Sequence, residues 1–262
     1  MINQTDSVKH QYSSDKNLFA RINLHAKHST NKQGFFPWLF GQYHFAENDI
    51  ILELGCGNAT QWKEKTATLP PGSKLTLSDF SEGMLQAAKE NLPPAPNISF
   101  QQIDIQNIPY PNSTFDTVIA NHMLYHVPDI GSALSEVSRV LKTGGKFYAT
   151  TTTSGGIRQY LHNVMQKLDL DTGAFSQEIP FNMENGSKIL ARHFPQVKRH
   201  DYLDSLAITH TKDLMDWLES SISMTGHDAE TSKILHDYFE NIRLTQGAIN
   251  IPKEACLFIC IK

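Results

Sequence analysis

The 262-residue sequence has few cysteines and no excess of positive charge. Cys56, Cys256 and Cys260 do not have the paired Cys-x-x-Cys spacing of zinc or redox sites, so no metal site is expected. The net charge of -4 argues against nucleic acid as a partner. The sequence has no apolar run long enough to span a bilayer, and its polar beginning lacks a secretory signal pattern. We therefore expect a cytoplasmic protein with reduced thiols.

Two phosphate-binding patterns are also missing. The apolar run Ile50–Leu54 predicts a buried parallel strand, and Gly55 and Gly57 follow at its end. A dinucleotide fingerprint needs a third glycine where Thr60 stands, and the Gly-x-x-x-x-Gly-Lys-Ser/Thr pattern of ATP sites is absent here. Glu53 would repel a pyrophosphate but would suit an amine-bearing or cationic ligand. The turn therefore favours a positively charged nucleoside ligand over a dinucleotide.

Strands and helices alternate regularly between residues 50 and 152. Apolar and β-branched runs predict five strands with helices between them: strands at 50–54, 74–78, 98–103, 115–120 and 146–152, and helices at 59–69, 81–91 and 131–141. Beyond residue 153 the alternation is lost, with predicted helices at 160–170, 188–194, 212–220 and 231–245 and predicted strands at 197–208 and 255–261. The first half predicts a mostly parallel sheet with helices on both faces.

A single domain, residues 1–262, accounts for this pattern most simply. Residues 47–153 would form the ligand-binding core, and residues 154–262 would form a cap insertion and the closing strands. Residues 1–46 are rich in aromatic side chains and contain two predicted helices, at 16–27 and 36–45. These helices would either pack on the outside of the sheet or form a lid, with Tyr12 and Arg21 facing the ligand.

The stretch Glu53-Leu54-Gly55-Cys56-Gly57-Asn58-Ala59 resembles motif I of class I S-adenosylmethionine-dependent methyltransferases, and more narrowly the type-11, menaquinone-methylase-like group. Ala59 stands where the third glycine of the motif is usual. The resemblance implies a Rossmann-like, doubly wound α/β fold. Its seven-stranded, mostly parallel sheet would have the order 3-2-1-4-5-7-6, an antiparallel last strand and helical lid elements. It also implies S-adenosyl-L-methionine as cofactor and S-adenosyl-L-homocysteine as product.

By the same resemblance, the cofactor contacts the motif I turn and the ends of the following strands. The implied cofactor residues are Glu53, Gly55, Cys56, Gly57, Asn58, Asp79, Phe80, Met84, Asp104, Ile105, Asn121 and His122, with Tyr12 and Arg21 added by the lid hypothesis. Asp79 would accept hydrogen bonds from both ribose hydroxyls. Asp104 would accept from the adenine amino group, or would simply cap a helix. Cys56 is expected to fill the tight turn rather than act as a nucleophile.

Methyl transfer from a sulfonium is an in-line displacement, so the protein must align the acceptor and, for a phenol or hydroxyl, remove a proton. His122 and His126 follow the fourth predicted strand and are candidate bases, although a structural hydrogen bond is the alternative role for His126. We expect a small-molecule acceptor. An RNA or protein methyltransferase is a second hypothesis, but Asn121-His122-Met123-Leu124 lacks the Pro-Pro of the adenine and glutamine enzymes. A non-catalytic S-adenosylmethionine-binding protein is a third.

Overall fold

The computed structural model describes residues 15–176, 178–220 and 229–262, and their side chains from residue 22 onward except at 174 and 176. The strands are β1 (Ile50–Leu54), β2 (Lys74–Asp79), β3 (Ile98–Gln102), β4 (Phe115–Asn121), β5 (Leu141–Thr152), β6 (Gln196–Ile208) and β7 (Ile249–Ile261). The helices are α1 (Asp15–His28), α2 (Phe35–Phe40), α3 (Glu82–Asn91), α4 (Ile130–Val140), α5 (Ile157–Lys167), α6 (Gly186–Leu190), α7 (Thr211–Glu219) and α8 (Ala229–Gln246).

The seven strands form one sheet in the order β3-β2-β1-β4-β5-β7-β6. Strands β1 to β5 are parallel to one another, whereas β7 is antiparallel to both β5 and β6. The predicted fold class, including the strand order and the antiparallel last strand, is confirmed. Because β1 to β5 are parallel, their carboxyl ends lie along one edge of the sheet, where ligands bind in folds of this type.

Helices cover both faces of the sheet. On one face, α4 and α6 bury Val137 and Leu190 in a core that also contains Leu52 of β1. On the other face, α2 and α3 bury Leu39 and Leu85. Side chains cap the first turns of two of these helices. The Ser81 hydroxyl accepts from the Met84 N–H at the start of α3, and the Asp129 carboxylate accepts from the Ser132 N–H at the start of α4.

A second apolar cluster, the cap core, is built on the far ends of β6 and β7. Thr152 at the end of β5 pairs with Ala255, but β7 continues to pair with β6 back to Ile249, which lies opposite Ile208. Helices α1, α5, α7 and α8 pack on this overhang. The cap core contains Leu24, Leu161, Val164, Met165, Phe175, Leu206, Ile208, Leu214, Met215, Trp217, Leu218, Leu235, Phe239, Ile249 and Ile251. These apolar residues are therefore packing residues of the cap.

The helix predicted at 59–69 was wrong. The structure has two short 3₁₀ turns there, Thr60–Trp62 and Thr66–Thr68. Ala59 and Glu64, on either side of the first turn, have positive φ angles of 53° and 65°. An α-helix cannot pass through a left-handed residue, so the chain turns twice instead of continuing.

The last strand is longer than predicted. β7 begins at Ile249 instead of at residue 255. The sequence did not indicate this earlier start, because Pro252 and the charged pair that follows it interrupt the apolar pattern. Pro252 lies where β7 pairs only with β6, a position that tolerates a residue without an N–H. Among the described residues, none of the helices combines the length and the apolar character needed to cross a bilayer.

Candidate functional site

The turn after β1 contains three left-handed residues in alternate positions. Gly55, Gly57 and Ala59 have φ angles of 73°, 57° and 53°. A Cβ atom on Gly55 would also lie 2.9 Å from both Cβ and Cγ of Met123, so this position needs glycine for space as well as for conformation. Ala59 replaces the usual third glycine and adopts the left-handed conformation that glycine would adopt there. For alanine this backbone conformation costs about 1–2 kcal/mol. The altered motif therefore still makes the same type of turn.

Glu53 is fully buried at the end of β1 and is the centre of a hydrogen-bond network. Its carboxylate accepts from the indole N–H of Trp62, from the Asn121 amide at 2.9 Å and from the Gln61 amide at 3.4 Å. Burial raises the pKa of Glu53 to about 7, although the three donors oppose the rise. Glu53 therefore changes charge close to neutral pH.

Tyr43 joins the N-terminal region to this network. Its hydroxyl lies 3.1 Å from Oδ1 of Asn121, and its ring packs edge-on against Tyr148 with centroids 4.9 Å apart. Tyr43 is itself buried in the core on the α2 and α3 face. The N-terminal region therefore packs on the sheet and also reaches the end of β4, whereas its role as a lid stays a prediction.

Asp79 is held in place at the end of β2. Its Oδ2 accepts from the Gly57 N–H at 2.9 Å and its Oδ1 accepts from the Ser81 N–H at 2.8 Å. Burial raises the pKa of Asp79, and the N–H donors limit the rise. The backbone N–H groups of Ser81, Gly57 and Phe80 use part of its acceptor capacity, and what remains can accept from a ligand beside the turn. Phe80 is partly exposed next to it, and Met84 is buried in the first turn of α3.

Asp104 and Ile105 have structural roles at the end of β3. The Asp104 carboxylate accepts from the Gln106 backbone N–H at 2.9 Å and from the Gln106 amide at 3.2 Å, so it caps a turn. Ile105 is buried in the core on the α4 face. The capping role that the sequence offered for Asp104 is present, as a turn cap instead of a helix cap. Its contact with adenine, like that of Ile105, stays a prediction.

His122 follows β4 in a left-handed conformation with a φ of 49°. Its backbone N–H donates to Oγ1 of Thr150 at 3.0 Å, which fixes the residue against the end of β5. Its ring lies 5.0 Å from that of Phe35 and 6.5 Å from that of Tyr125. Burial lowers the pKa of His122 to about 4, helped by the charges of Lys253 and His126. His122 is therefore neutral at neutral pH.

His126 lies in the 3₁₀ turn Leu124–His126, and its ring meets Tyr125 edge-on with centroids 4.6 Å apart. It is close enough to His122 to affect the pKa of that ring, so the structure brings the two candidate bases together. Tyr12 and the Arg21 side chain lie outside the described part of the chain. Their place in the site stays a prediction.

A comparison with family models matches residues 52–149, from β1 to β5, to a model described as a methyltransferase domain. This part of the chain is a methyltransferase domain. The predicted family is confirmed, and so is S-adenosylmethionine as the cofactor of that family. The matched stretch contains all of the implied cofactor residues except the two in the N-terminal region.

Relatives and structures agree with this assignment. Over 109 residues the chain is 35% identical to a demethylmenaquinone methyltransferase from Symbiobacterium thermophilum, covering 40% of this chain and 43% of that protein. The chain thus matches less than half the length of that relative. A phosphoethanolamine N-methyltransferase 2 from Haemonchus contortus has the same fold, with a TM-score of 0.60 and 16% identity over 100% of this chain and 60% of that one. So has the [4+2]-cyclase SpnF, with a TM-score of 0.59 and 13% identity over 97% and 95% of the two chains.

The structure places at the candidate site several residues that the sequence analysis missed. Trp62 binds Glu53 from inside the stretch that was predicted to be helical. An aromatic wall, made of Phe35, Trp38 and Tyr202, packs beside His122, with Phe35 5.4 Å and Trp38 5.1 Å from Tyr202 between ring centroids. Only the density of aromatic residues before position 46 pointed to the wall, and that signal did not indicate which rings reach the site.

The cysteine and asparagine of the motif I turn support its shape. Cys56 is buried, and burial raises the pKa of its thiol well above the ordinary value, so it is a poor nucleophile. Asn58 accepts from both the backbone and the hydroxyl of Thr60, at 3.3 and 2.8 Å. Both residues thus help to hold the turn of the methyltransferase domain in one conformation.

A polar cavity of about 440 Å³ lies at the same edge of the sheet, beyond the end of β5. It is formed between α5 and the segment 175–185. Its charged and ionisable lining residues are Arg158, His162, Glu178 and Glu184. The volume is in the range of small-molecule sites.

Proposed function

We propose that the protein is an S-adenosylmethionine-dependent methyltransferase that acts on a small-molecule acceptor. The observation that carries the proposal is the arrangement at the ends of β1 and β2. There the Asp79 carboxylate is oriented by the N–H groups of Gly57 and Ser81, directly beside a turn of left-handed residues. A carboxylate fixed in this way suits a ribose diol, since each oxygen accepts from one hydroxyl.

In this proposal the sulfonium and amino groups of the cofactor lie towards Glu53 and Asn121. The network around Glu53 holds a carboxylate that is ionised above a pH of about 7 and can then attract the positive charge. The cofactor supplies the electrophilic methyl group, and the protein aligns the acceptor with it. Asn121 connects Glu53 to the N-terminal region, because its amide binds both Glu53 and Tyr43.

The acceptor would bind beyond the end of β4, next to His122 and the aromatic wall. The aromatic wall supports a flat or apolar acceptor. The names of two similar proteins, a demethylmenaquinone methyltransferase and a phosphoethanolamine N-methyltransferase, also refer to small acceptors. The buried thiols Cys56, Cys256 and Cys260 support a reducing, cytoplasmic setting.

Of the two candidate bases, we assign proton removal to His126 and positioning to His122. A histidine with a pKa of about 4 is a weak base at neutral pH, so His122 contributes little to deprotonation. It would instead place the acceptor between Phe35 and Tyr125. Replacing His126 by Asn should lower turnover with a hydroxyl acceptor at least about tenfold, at unchanged cofactor affinity. Full turnover in this variant would remove His126 as the base.

Cofactor binding is tested by calorimetry with S-adenosylhomocysteine. The wild type should bind, and Asp79→Ala should weaken binding by about 2 kcal/mol, the scale of hydrogen bonds to a charged group. Asp216→Ala is the matched control, because Asp216 is an acid in the cap that pairs only with Lys212 among the described ion pairs. A wild type that does not bind would refute both the small-molecule and the macromolecular hypotheses.

The acceptor class needs a separate experiment. Protein and methyl-labelled cofactor are incubated with separate metabolite, RNA and protein fractions, and the label is followed. Label in metabolites is expected. Label only in macromolecules would refute the small-molecule proposal. Binding without transfer to any fraction would favour a non-catalytic or non-methylating role, as the shared fold of the cyclase illustrates.

A further inference from the structure

Away from the methyltransferase domain, three metal-ligand side chains meet where α1 ends and α7 begins. His28 is the last residue of α1, His210 immediately precedes α7, and Asp213 lies in the first turn of α7. One ligand atom from each lies within 4.8 Å of the others, and Nε2 of His28 is 2.8 Å from Oδ2 of Asp213. The cluster joins positions up to 185 residues apart in the sequence, so no local spacing motif predicts it.

The surroundings of the cluster resemble those of a metal site in three respects. His28 is only 6% exposed, so one ligand lies in a partly dry environment. The Thr209 hydroxyl lies 3.1 Å from Nδ1 of His210, the kind of outer contact that orients a metal-bound imidazole. The Asp213 side chain is only 14% exposed, so its carboxylate also lies largely out of water. Two imidazoles and one carboxylate thus lie close together in a partly dry environment.

We propose that His28, His210 and Asp213 bind one divalent transition-metal ion, and that Zn²⁺ fits them best. Two imidazole nitrogens and one carboxylate oxygen are ordinary Zn²⁺ ligands, with water as the fourth. His210 is exposed, so its imidazole has room to adjust towards the other two ligands. The ion would fasten α1 to α7 on the outside of the cap core, a structural role that is independent of the proposed methyl transfer.

The role of Lys27 distinguishes a metal site from a simple ion pair between α1 and α7. Its ammonium lies 3.0 Å from Oδ1 of Asp213, and its side chain is 49% exposed. As part of an ion-pair lock, Lys27 would help to hold α1 against α7. Beside a metal ion it would instead repel the bound cation. Removing Lys27 should therefore weaken an ion-pair lock but strengthen metal binding.

The test uses the full chain without a polyhistidine tag. The protein is dialysed against micromolar ZnCl₂, passed through a desalting column and measured for bound zinc, and Co²⁺ titration is followed by visible absorption. About one zinc per chain and the absorption of a tetrahedral Co²⁺ site are expected. His28→Gln, His210→Gln and Asp213→Asn should each weaken binding at least about tenfold, whereas Lys27→Ala should tighten it about two- to fivefold.

His236→Gln is the matched control, because His236 forms a His–Asp pair with Asp237 on α8 but is not part of the three-residue cluster. It should bind zinc like the wild type. Circular dichroism melts should show zinc raising the melting temperature of the wild type but not of Asp213→Asn. Failure of the wild type to retain zinc or give the Co²⁺ spectrum, or equal loss in the His236 variant, would overturn the proposal. Cofactor binding is measured separately, so failure of the two proposals can be distinguished.

Discussion

The methyltransferase domain and the cap core bury different kinds of residue. The domain buries a carboxylate, Glu53, among three donors, and it accepts left-handed backbone at Ala59 and His122. The cap core is instead made almost entirely of aliphatic and aromatic side chains around Leu214 and Phe239. Strain and buried charge reduce stability unless a ligand makes use of them. The cap core contributes stability by apolar burial.

The largest expected effect comes from emptying the cap core. Leu214 is fully buried on α7, so Leu214→Ala should lower the free energy of unfolding by about 2–5 kcal/mol, because a cavity replaces packed methyl groups. Urea unfolding measures this change. Affinity for S-adenosylhomocysteine at low temperature should stay close to the wild-type value.

The control for this variant is Leu244→Ala, since Leu244 lies on α8 and is 68% exposed. It should change the free energy of unfolding by less than about 0.5 kcal/mol. The comparison between cap and domain would break down if Leu214→Ala weakened cofactor binding as strongly as it lowered stability.

A comparable effect is expected at the motif I turn. Gly55 and Gly144 both have left-handed φ angles, 73° and 78°, but only a Cβ on Gly55 would meet another atom within 4 Å, namely those of Met123. Gly144→Ala should therefore cost only the backbone strain, about 1–2 kcal/mol. Gly55→Ala should cost about 1–3 kcal/mol more and should also weaken cofactor binding. Equal losses in the two variants would show that the contact with Met123 is readily relieved.

The smallest effect is a pH dependence that belongs to the domain alone. With a pKa of about 7, Glu53 is protonated in the free protein at lower pH and must lose that proton before it attracts the cofactor. Calorimetry should therefore show S-adenosylhomocysteine binding weakening about tenfold from pH 8 to pH 6. Glu53→Gln should bind more weakly and without this dependence. A Glu53→Gln variant that keeps the full pH dependence would assign it to another group.

The same raised pKa affects the stability of the free protein in the opposite direction. A carboxyl group whose pKa rises on folding holds its proton more tightly in the folded state, so the free energy of unfolding falls as pH rises from about 4.5 to about 7. Urea unfolding of the wild type and Glu53→Gln over this range measures the contribution. The difference between the two proteins should grow with pH and level off above about 7.

The sequence predicted the sheet well because its strands carry the information locally. Runs such as Ile50–Leu54 and Phe115–Asn121 are mainly apolar, and Asp79 marks the end of β2 by its charge. The strand order and the cofactor came from the resemblance, because no local pattern specifies which strands become neighbours. The start of β7 was missed where Pro252 and its charged neighbours break the apolar pattern.

The remaining features depend on contacts between distant residues. The helix at 59–69 fails because Trp62 turns inward to bind Glu53 and left-handed residues flank it, and none of this is visible in helical periodicity. Phe35 and Tyr202 meet across more than half of the chain to form part of the aromatic wall. His28 and Asp213 likewise meet only because α1 packs on α7. A single sequence does not specify such pairs.

The overhang of β6 and β7 has a mechanical consequence. The cap core is joined to the sheet by a two-stranded ribbon, residues 203–208 paired with 249–254, that continues the sheet without a break. Such a ribbon has no single pivot, so any displacement of the cap spreads as bending over the whole hydrogen-bonded ladder. The ribbon therefore resists displacement of the cap core elastically, with a restoring force that grows with displacement. The stiffness of this ribbon would set how far the cap core can be displaced relative to the sheet.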